Sequence, residues 1–133
     1  MIIAIYIGKE ELLSDSRFTS LLEELRDGGC DFTVMNPGEE LSEGVEMLLS
    51  VGGDGTFLSS SVLAAARNIP IMGVNLGRMG FLSENRPEDV AKALLSGDYT
   101  IENRTMLKAE VVTGQDDFDS WPYALNEIAV HRN

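Results

Sequence analysis

The sequence predicts an α/β protein: a doubly wound, mostly parallel, Rossmann-like sheet followed by the start of a β-rich second domain. Through residue 98, short apolar runs typical of buried strands alternate with helical patterns, an order that indicates a parallel sheet covered by helices. After Asp98 the helical patterns stop and only strand patterns follow. We therefore expect an α/β domain over residues 1–98 and the beginning of a truncated β-rich domain over residues 99–133.

Capping residues and apolar spacing predict the individual elements. The first helix begins at Asp15 or Ser16 and ends at Gly28-Gly29. The last helix begins at Pro87 and ends at Gly97. The middle helix runs to Asn68, and four apolar residues at i, i+4, i+7 and i+8 lie on one of its faces: Leu58, Val62, Ala65 and Ala66. The predicted strands are residues 2–7, 30–35, 45–51, 70–74, 99–102, 106–113 and 123–131.

The stretch Gly52-Gly53-Asp54-Gly55-Thr56 joins a strand pattern to a helical pattern. A strand that turns into a helix presents backbone N–H groups and the positive end of the helix dipole, both of which suit phosphate. A carboxylate among those amides suits a hydroxyl or a metal ion, so Asp54 indicates phosphoryl transfer. A tight turn explains the same residues equally well. The stretch matches neither the dinucleotide fingerprint nor a Walker loop.

A second glycine-rich stretch, residues 73–81, follows the next predicted strand. Because ligands gather at the carboxyl ends of parallel strands, two such stretches at neighbouring strand ends favour a binding site over a plain turn. Arg78 is suited to a phosphate and equally to a solvated loop. Phe81 is suited to stacking on a base, although an aromatic residue beside a glycine turn is more often part of the core.

Composition excludes several classes of partner. A net charge of −12 argues against nucleic acid and against anionic membranes, which are themselves polyanionic. Cys30 is the only cysteine, so there is no disulfide framework. The apolar start lacks a basic region and is too short for a signal peptide, and no run reaches the length of a membrane span. We expect a cytoplasmic protein.

Three segments taken together resemble the NAD kinases, whose members use ATP or polyphosphate. They are Gly52-Gly53-Asp54-Gly55-Thr56, Asn75-Leu76-Gly77-Arg78-Met79-Gly80-Phe81-Leu82 and Leu125-Asn126-Glu127-Ile128. The first is shared with lipid kinases and, in variant form, with 6-phosphofructokinases, so the second and third are the more specific signals. The similarity covers the whole chain.

The resemblance implies transfer of the ATP γ-phosphoryl group to the adenosine ribose 2′-hydroxyl of NAD, giving NADP, with a divalent metal expected to be Mg²⁺. On this resemblance Asp54 is the catalytic residue, which either activates the hydroxyl or acts through Mg²⁺, and no side chain is assigned as a metal ligand. The residues implied in NAD binding are Asp54, Gly55, Arg78, Phe81, Asn126 and Glu127. Those implied in binding the ATP phosphates are Gly52, Gly53, Gly55 and Thr56. Ser59 stands where many members carry a basic residue, which puts one phosphate contact in doubt.

In the family, the strand that carries the Asn-Glu pair is followed by a long β-rich domain that completes the NAD site and the oligomer interface. We therefore expect this chain to be the front portion of the enzyme. Residues 1–133 alone are expected to have little or no activity, and the full-length protein is expected to form a homo-oligomer.

Two other functions are considered. A lipid kinase of the diacylglycerol or sphingosine type shares the Gly-Gly-Asp-Gly-Thr motif, but an acidic surface is unsuited to anionic membranes. A non-catalytic, flavodoxin-like binding domain would require Asp54 to be only a turn residue, and the second glycine stretch argues against that.

Overall fold

The computed structural model describes residues 1–36, 38–76, 85–105 and 124–130. The strands in these ranges are β1 (Ile2–Ile7), β2 (Asp31–Met35), β3 (Met47–Val51), β4 (Ile71–Val74), β5 (Tyr99–Thr105) and β6 (Ala124–Val130). The helices are α1 (Ser16–Asp27), α2 (Asp54–Arg67) and α3 (Pro87–Ser96), with a short 3-10 helix over Glu10–Ser14. The predicted elements within these ranges are all found, and the strand predicted over residues 106–113 lies outside the described residues.

The strands form one sheet in the order β2-β1-β3-β4-β6-β5. All neighbouring pairs are parallel except β5 and β6, which are antiparallel. From β1 the chain passes outward to β2 and then returns to the other side of β1 to form β3, after which it continues to β4. The sheet is therefore doubly wound and mostly parallel, as predicted, and the winding reverses between β1 and β3.

The central strands are buried on both faces, which is why their sequences are continuous apolar runs. Ile3, Ile5 and Ile7 of β1 belong to a core cluster that also contains buried residues from α1 and α3. Ala4 and Tyr6 belong to a second cluster with the buried face of α2. Two helices thus cover one face of the sheet, and α2 covers the other.

Helices α1 and α3 begin and end where their local signals predict. Asp15 is the N-cap of α1, and its carboxylate accepts a hydrogen bond from the N–H of Arg17 at 2.8 Å. Pro87 is the first residue of α3, and Gly97 caps its end with φ 76°. No helix in the described ranges is long and apolar enough to cross a membrane.

Helix α2 spans the predicted residues, but the apolar face that the spacing defines is not the face that it buries. Leu58 is 55% exposed and Val62 is 46% exposed. The buried residues are Phe57, Ser60, Ser61 and Ala64. Each serine hydroxyl donates to a carbonyl of its own helix, Ser60 to Thr56 at 2.8 Å and Ser61 to Leu58 at 2.7 Å. Because these hydroxyls are already paired, both serines can be buried, and a pattern that counts serine as polar misses this.

Strands β5 and β6 extend the sheet formed by the first four strands. β6 pairs with β4 through Glu127 and Ile71, and β5 pairs with β6 from Tyr99 to Thr105. The boundary predicted near Tyr99 therefore falls within one hydrogen-bonded sheet. A separate β-rich domain beginning at residue 99 stays a prediction.

Candidate functional site

The carboxyl ends of β1, β3 and β4 lie side by side and are joined by backbone hydrogen bonds. The N–H of Gly8, just after β1, donates to the carbonyl of Val51 at 3.3 Å. The N–H of Gly52, just after β3, donates to the carbonyl of Val74 at 3.0 Å. The two glycine-rich stretches therefore begin at neighbouring strand ends, as predicted.

The loops that follow β1 and β3 flank the point where the winding of the sheet reverses. Their chains leave in opposite directions, which opens the crevice where doubly wound proteins bind their ligands. Residues 52–56, which we call the glycine loop, form one side of this crevice, and Gly8 begins the other. Sequence reasoning missed Gly8, because a single glycine after a strand carries no signal until the neighbouring strand is known.

Both Gly8 and Gly52 are required by the fold. Gly52 has φ +149°, a backbone conformation that side-chain-bearing residues rarely adopt. A Cβ at Gly52 would also lie 2.7 Å from the Oγ1 of Thr56, and a Cβ at Gly8 would lie closer still to the same atom. Each glycine thus has a sufficient explanation in conformation or packing.

Gly53 and Gly55, in contrast, are not required by the fold. A Cβ added to either would meet no atom of the described residues within 4 Å. Gly53 has φ −101°, which any residue adopts, and Gly55 lies inside α2, where alanine is the more favourable residue. Glycines that the fold does not use leave open space along the loop, and a ligand that approaches the backbone closely would use that space. This observation favours a binding loop over a plain turn.

Asp54 lies between these two glycines and is the first residue of α2. The N-cap of the helix is Gly53, which has no side chain to accept hydrogen bonds from the first turn. An acidic residue in the first turn is favoured by the helix dipole. The turn is anchored by Phe57, which is 1% exposed and whose N–H donates to the carbonyl of Gly53 at 3.0 Å. Asp54 is therefore a half-buried carboxylate held at the end of β3.

The stretch after β4 is described at its two ends. Asn75 and Leu76 are buried. The N–H of Asn75 donates to the carbonyl of Asn85 at 2.9 Å, and the side-chain amide of Asn85 donates to the carbonyl of Gly73 at 2.9 Å. Asn85 is thus held beside the end of β4. The predicted NAD contacts of this stretch lie outside the described residues: Arg78 and Phe81.

Asn126 and Glu127 lie on β6 but not at the end of the sheet that carries the glycine loop. Glu127 is in register with Ile71, the first residue of β4, and Ile71 is in register with Leu48 of β3. Gly52 follows Leu48 by four residues, and a strand rises about 3.3 Å per residue, so the backbone of Glu127 lies roughly 13 Å behind Gly52 along the strand direction. Within the described residues, the backbone does not bring this pair and the glycine loop together.

Fold and site define a class of protein: a doubly wound α/β domain with a glycine-rich loop and a carboxylate at its switch point, where such domains bind nucleotides. The family comparison is specific. The model of the ATP-NAD kinase N-terminal domain matches residues 7–97. The chain belongs to the NAD kinase family.

Individual relatives agree with this assignment. The chain is 40% identical over 105 residues to an NAD kinase of Rhodococcus erythropolis, covering 77% of this chain and 33% of that protein. It is 37% identical over 123 residues to an NAD kinase of Methanothermobacter thermautotrophicus, covering 90% and 38%. The crystal structure of an NAD kinase from Archaeoglobus fulgidus in complex with ATP is similar, with a TM-score of 0.54 and 25% identity over 83% of this chain and 43% of that one. The chain thus spans between a third and somewhat less than half of the length of these relatives.

Proposed function

We propose that this chain serves as the N-terminal part of an NAD kinase, which transfers the γ-phosphoryl group of ATP to the 2′-hydroxyl of the adenosine ribose of NAD. The observation that carries the proposal is the pair of open glycines on either side of Asp54 at the switch point of the sheet. Family membership supports this reaction over a lipid kinase or a non-catalytic, flavodoxin-like domain.

The glycine loop has separate roles for its backbone and for its carboxylate. The backbone amides of Gly53, Gly55 and Thr56 bind phosphate oxygens of ATP, and Gly52 shapes the turn that presents them. Asp54 accepts a hydrogen bond from the ribose 2′-hydroxyl and takes its proton as the new oxygen–phosphorus bond forms and the bond to ADP breaks. A positioned general base of this kind contributes about 10²–10⁴-fold to the rate.

The family resemblance also implies a divalent metal. The residues present fit a metal held by one carboxylate together with nucleotide phosphates and water. Among the described residues, no group of three or more His, Cys, Asp or Glu could hold a metal ion. Asp54 is the carboxylate that the glycine loop offers. Mg²⁺ suits such a site, because it is commonly held by one or two carboxylates together with nucleotide phosphates and water. When bound, it neutralises charge on the phosphates.

For NAD, the residues proposed from the family resemblance are Asp54, Gly55, Arg78, Phe81, Asn126 and Glu127. Replacing Asn126 or Glu127 with alanine is expected to raise the Michaelis constant for NAD far more than that for ATP, since losing a hydrogen bond to a bound polar group costs about 1–3 kcal/mol. Equal effects on both substrates would argue against a role in holding the nucleoside. The measurement requires the longer protein.

We also propose a homo-oligomer for the longer protein and a cytoplasmic location. The oligomer is carried over from the family resemblance. The location is supported by cysteine usage, because Cys30 is the only cysteine in the sequence.

The decisive experiment uses the longer protein that contains this chain. It is incubated with NAD, Mg²⁺ and either ATP or polyphosphate, and the product is located by phosphorus NMR. NADP phosphorylated at the 2′ position is expected, whereas residues 1–133 alone are expected to form little. Phosphorylation of a lipid but not of NAD, or ATP binding without any transfer to NAD, would contradict the proposal.

A further inference from the structure

The end of β1 and the first turn of α2 fit together through the side chain of Thr56. A Cβ added to Gly8 would lie well under 3.0 Å from the Thr56 Oγ1, and one added to Gly52 would lie 2.7 Å from it. Real Cβ atoms essentially never make contacts shorter than 3.0 Å, so neither position accepts a side chain while Thr56 stays in place. The Thr56 hydroxyl therefore lies against the backbone of two strand ends.

Thr56 packs closely on both strand ends. In its present rotamer its Cγ2 would also lie 3.2 Å from a Cβ at Gly8 and 3.3 Å from one at Gly52, contacts that are tight but not excluded. Its backbone is held on its C-terminal side. The next residue, Phe57, is 1% exposed, and the Thr56 carbonyl accepts a hydrogen bond from the Ser60 hydroxyl at 2.8 Å. A side chain at position 8 therefore requires either a new rotamer of Thr56 or a displacement of the glycine loop, and the amide signals of the loop distinguish the two.

We infer that Gly8 is a positioning residue for the glycine loop, although it follows a different strand. Its lack of a side chain admits the Thr56 hydroxyl, and this contact sets the separation between the end of β1 and residues 52–56. Asp54 stands two residues before Thr56 in the same helical turn, so a displaced Thr56 also displaces Asp54. The inference rests on the proposed function of the loop. It assigns the Thr56 side chain to packing on Gly8, while the Thr56 amide serves the phosphate.

The test compares Gly8→Ala, Thr56→Ala and the double variant in the 133-residue chain. The amide NMR signals of Gly53, Asp54 and Gly55, recorded without nucleotide, report the position of the loop, and a titration with Mg²⁺-ATP reports affinity. Gly8→Ala is expected to move these signals and to weaken affinity about tenfold, given that a 1 Å misplacement in a site can cost up to about 10²-fold. Thr56→Ala removes the obstructing atoms, so the double variant is expected to recover most of the loss.

Gly28→Ala is a matched control. A Cβ at Gly28 would also lie well under 3.0 Å from another side chain, that of Leu95, and φ at Gly28 is −80°. This obstruction lies at the end of α1, away from the glycine loop. Because the Leu95 side chain is 44% exposed and can move aside, the control is expected to leave the melting temperature nearly unchanged, together with the three loop signals and the Mg²⁺-ATP affinity.

Several outcomes would overturn the inference. One is a Gly8→Ala variant with unmoved loop signals and normal affinity. Another is a double variant as weak as Gly8→Ala. A third is a Thr56→Ala variant that loses as much affinity as Gly8→Ala, which would make the hydroxyl itself a ligand contact. If Gly8→Ala does not fold, the double variant decides: recovery of a folded, ATP-binding chain supports the inference, and failure to recover contradicts it.

The positioning role and the proposed function fail in different ways. Failure of the wild-type chain to bind Mg²⁺-ATP would contradict the proposed function. The amide signals of the loop, recorded without nucleotide, would still test the role of Gly8. In the longer protein, Gly8→Ala is expected to reduce kcat with little change in the KM for NAD. A rise in KM at unchanged kcat would contradict a role that acts through Asp54.

Discussion

Two glycine turns in this molecule look alike in the sequence, residues 28–29 between α1 and β2 and residues 52–55 between β3 and α2. The fold accounts for both glycines of the first turn. Gly29 has φ +83°, whereas Gly28 packs against the side chain of Leu95, which is 44% exposed and can move aside for a Cβ. At the end of α1, the N–H of Cys30 donates to the carbonyl of Leu25 at 2.9 Å. This six-residue closure belongs to the Schellman motif, which explains the turn completely.

The second turn has glycines that the fold does not use. Gly52 is explained by its φ and by Thr56, whereas Gly53 and Gly55 have ordinary backbone angles, and no atom of the described residues lies within 4 Å of a Cβ added to either. The difference teaches that the number of glycines in a turn does not identify a binding loop. The glycines that indicate a binding loop are those that neither backbone conformation nor packing explains.

The largest expected effect concerns the carboxylate that distinguishes the second turn. Asp54→Asn in the longer protein is expected to reduce NADP formation by about 10²–10⁴-fold, the usual contribution of a general base, while the fold is retained. Steady-state kinetics together with circular dichroism measure both properties. Near-normal turnover by a folded Asp54→Asn enzyme would show that Asp54 is not the general base. The carboxylate would then no longer distinguish the second turn from the first.

A smaller effect is expected at an unused glycine. Gly55→Ala should bind Mg²⁺-ATP about tenfold more weakly, because the added Cβ occupies the space through which a phosphate approaches the backbone amides, and losing one such hydrogen bond costs about 1–3 kcal/mol. Its free energy of unfolding should be unchanged or higher by up to about 1 kcal/mol, since alanine is the better helix former. Isothermal titration measures the expected decrease in affinity, and chemical denaturation measures the free energy of unfolding. Normal affinity in this variant would show that the open space is not used by ATP.

The opposite signature is expected at the first turn. Gly29→Ala should lower the free energy of unfolding by about 1–2 kcal/mol, because a side chain makes the left-handed conformation unfavourable. It should leave the affinity for Mg²⁺-ATP unchanged, and the same denaturation and titration experiments apply. A Gly29→Ala chain of normal stability but impaired ATP binding would reverse the comparison.

The smallest effect concerns the start of α1, where a side chain provides the cap that Gly53 lacks in α2. The hydrogen bond from the Arg17 side chain lowers the pKa of Asp15 to about 2, from an ordinary value of 3.8. This ion pair therefore stabilises the fold above pH 3.8, and its contribution is lost as the pH falls towards 2. The effect is small because the Arg17 side chain is 54% exposed. Thermal melts between pH 5 and pH 2 should show a shallower loss of stability for Asp15→Asn than for the wild type.

The sequence by itself determined the alternation of strands and helices and the ends of α1 and α3. Asp15, Gly28, Pro87 and Gly97 act on backbone groups within one turn of their own positions, so their effects can be predicted without knowledge of the rest of the chain. It also determined the place of the glycine loop, because a strand followed by a helix needs only local patterns to be recognised.

Only the tertiary structure decided which groups meet at the site. Whether α2 buries Phe57 or Leu58 depends on which face lies on the sheet, and the contact of Gly8 with Thr56 requires β1 and β3 to be neighbours. The level of Glu127 along the sheet follows from its register with β4. These are contacts between residues far apart in the chain, and no local pattern encodes them, since their energies exist only once the strands have paired.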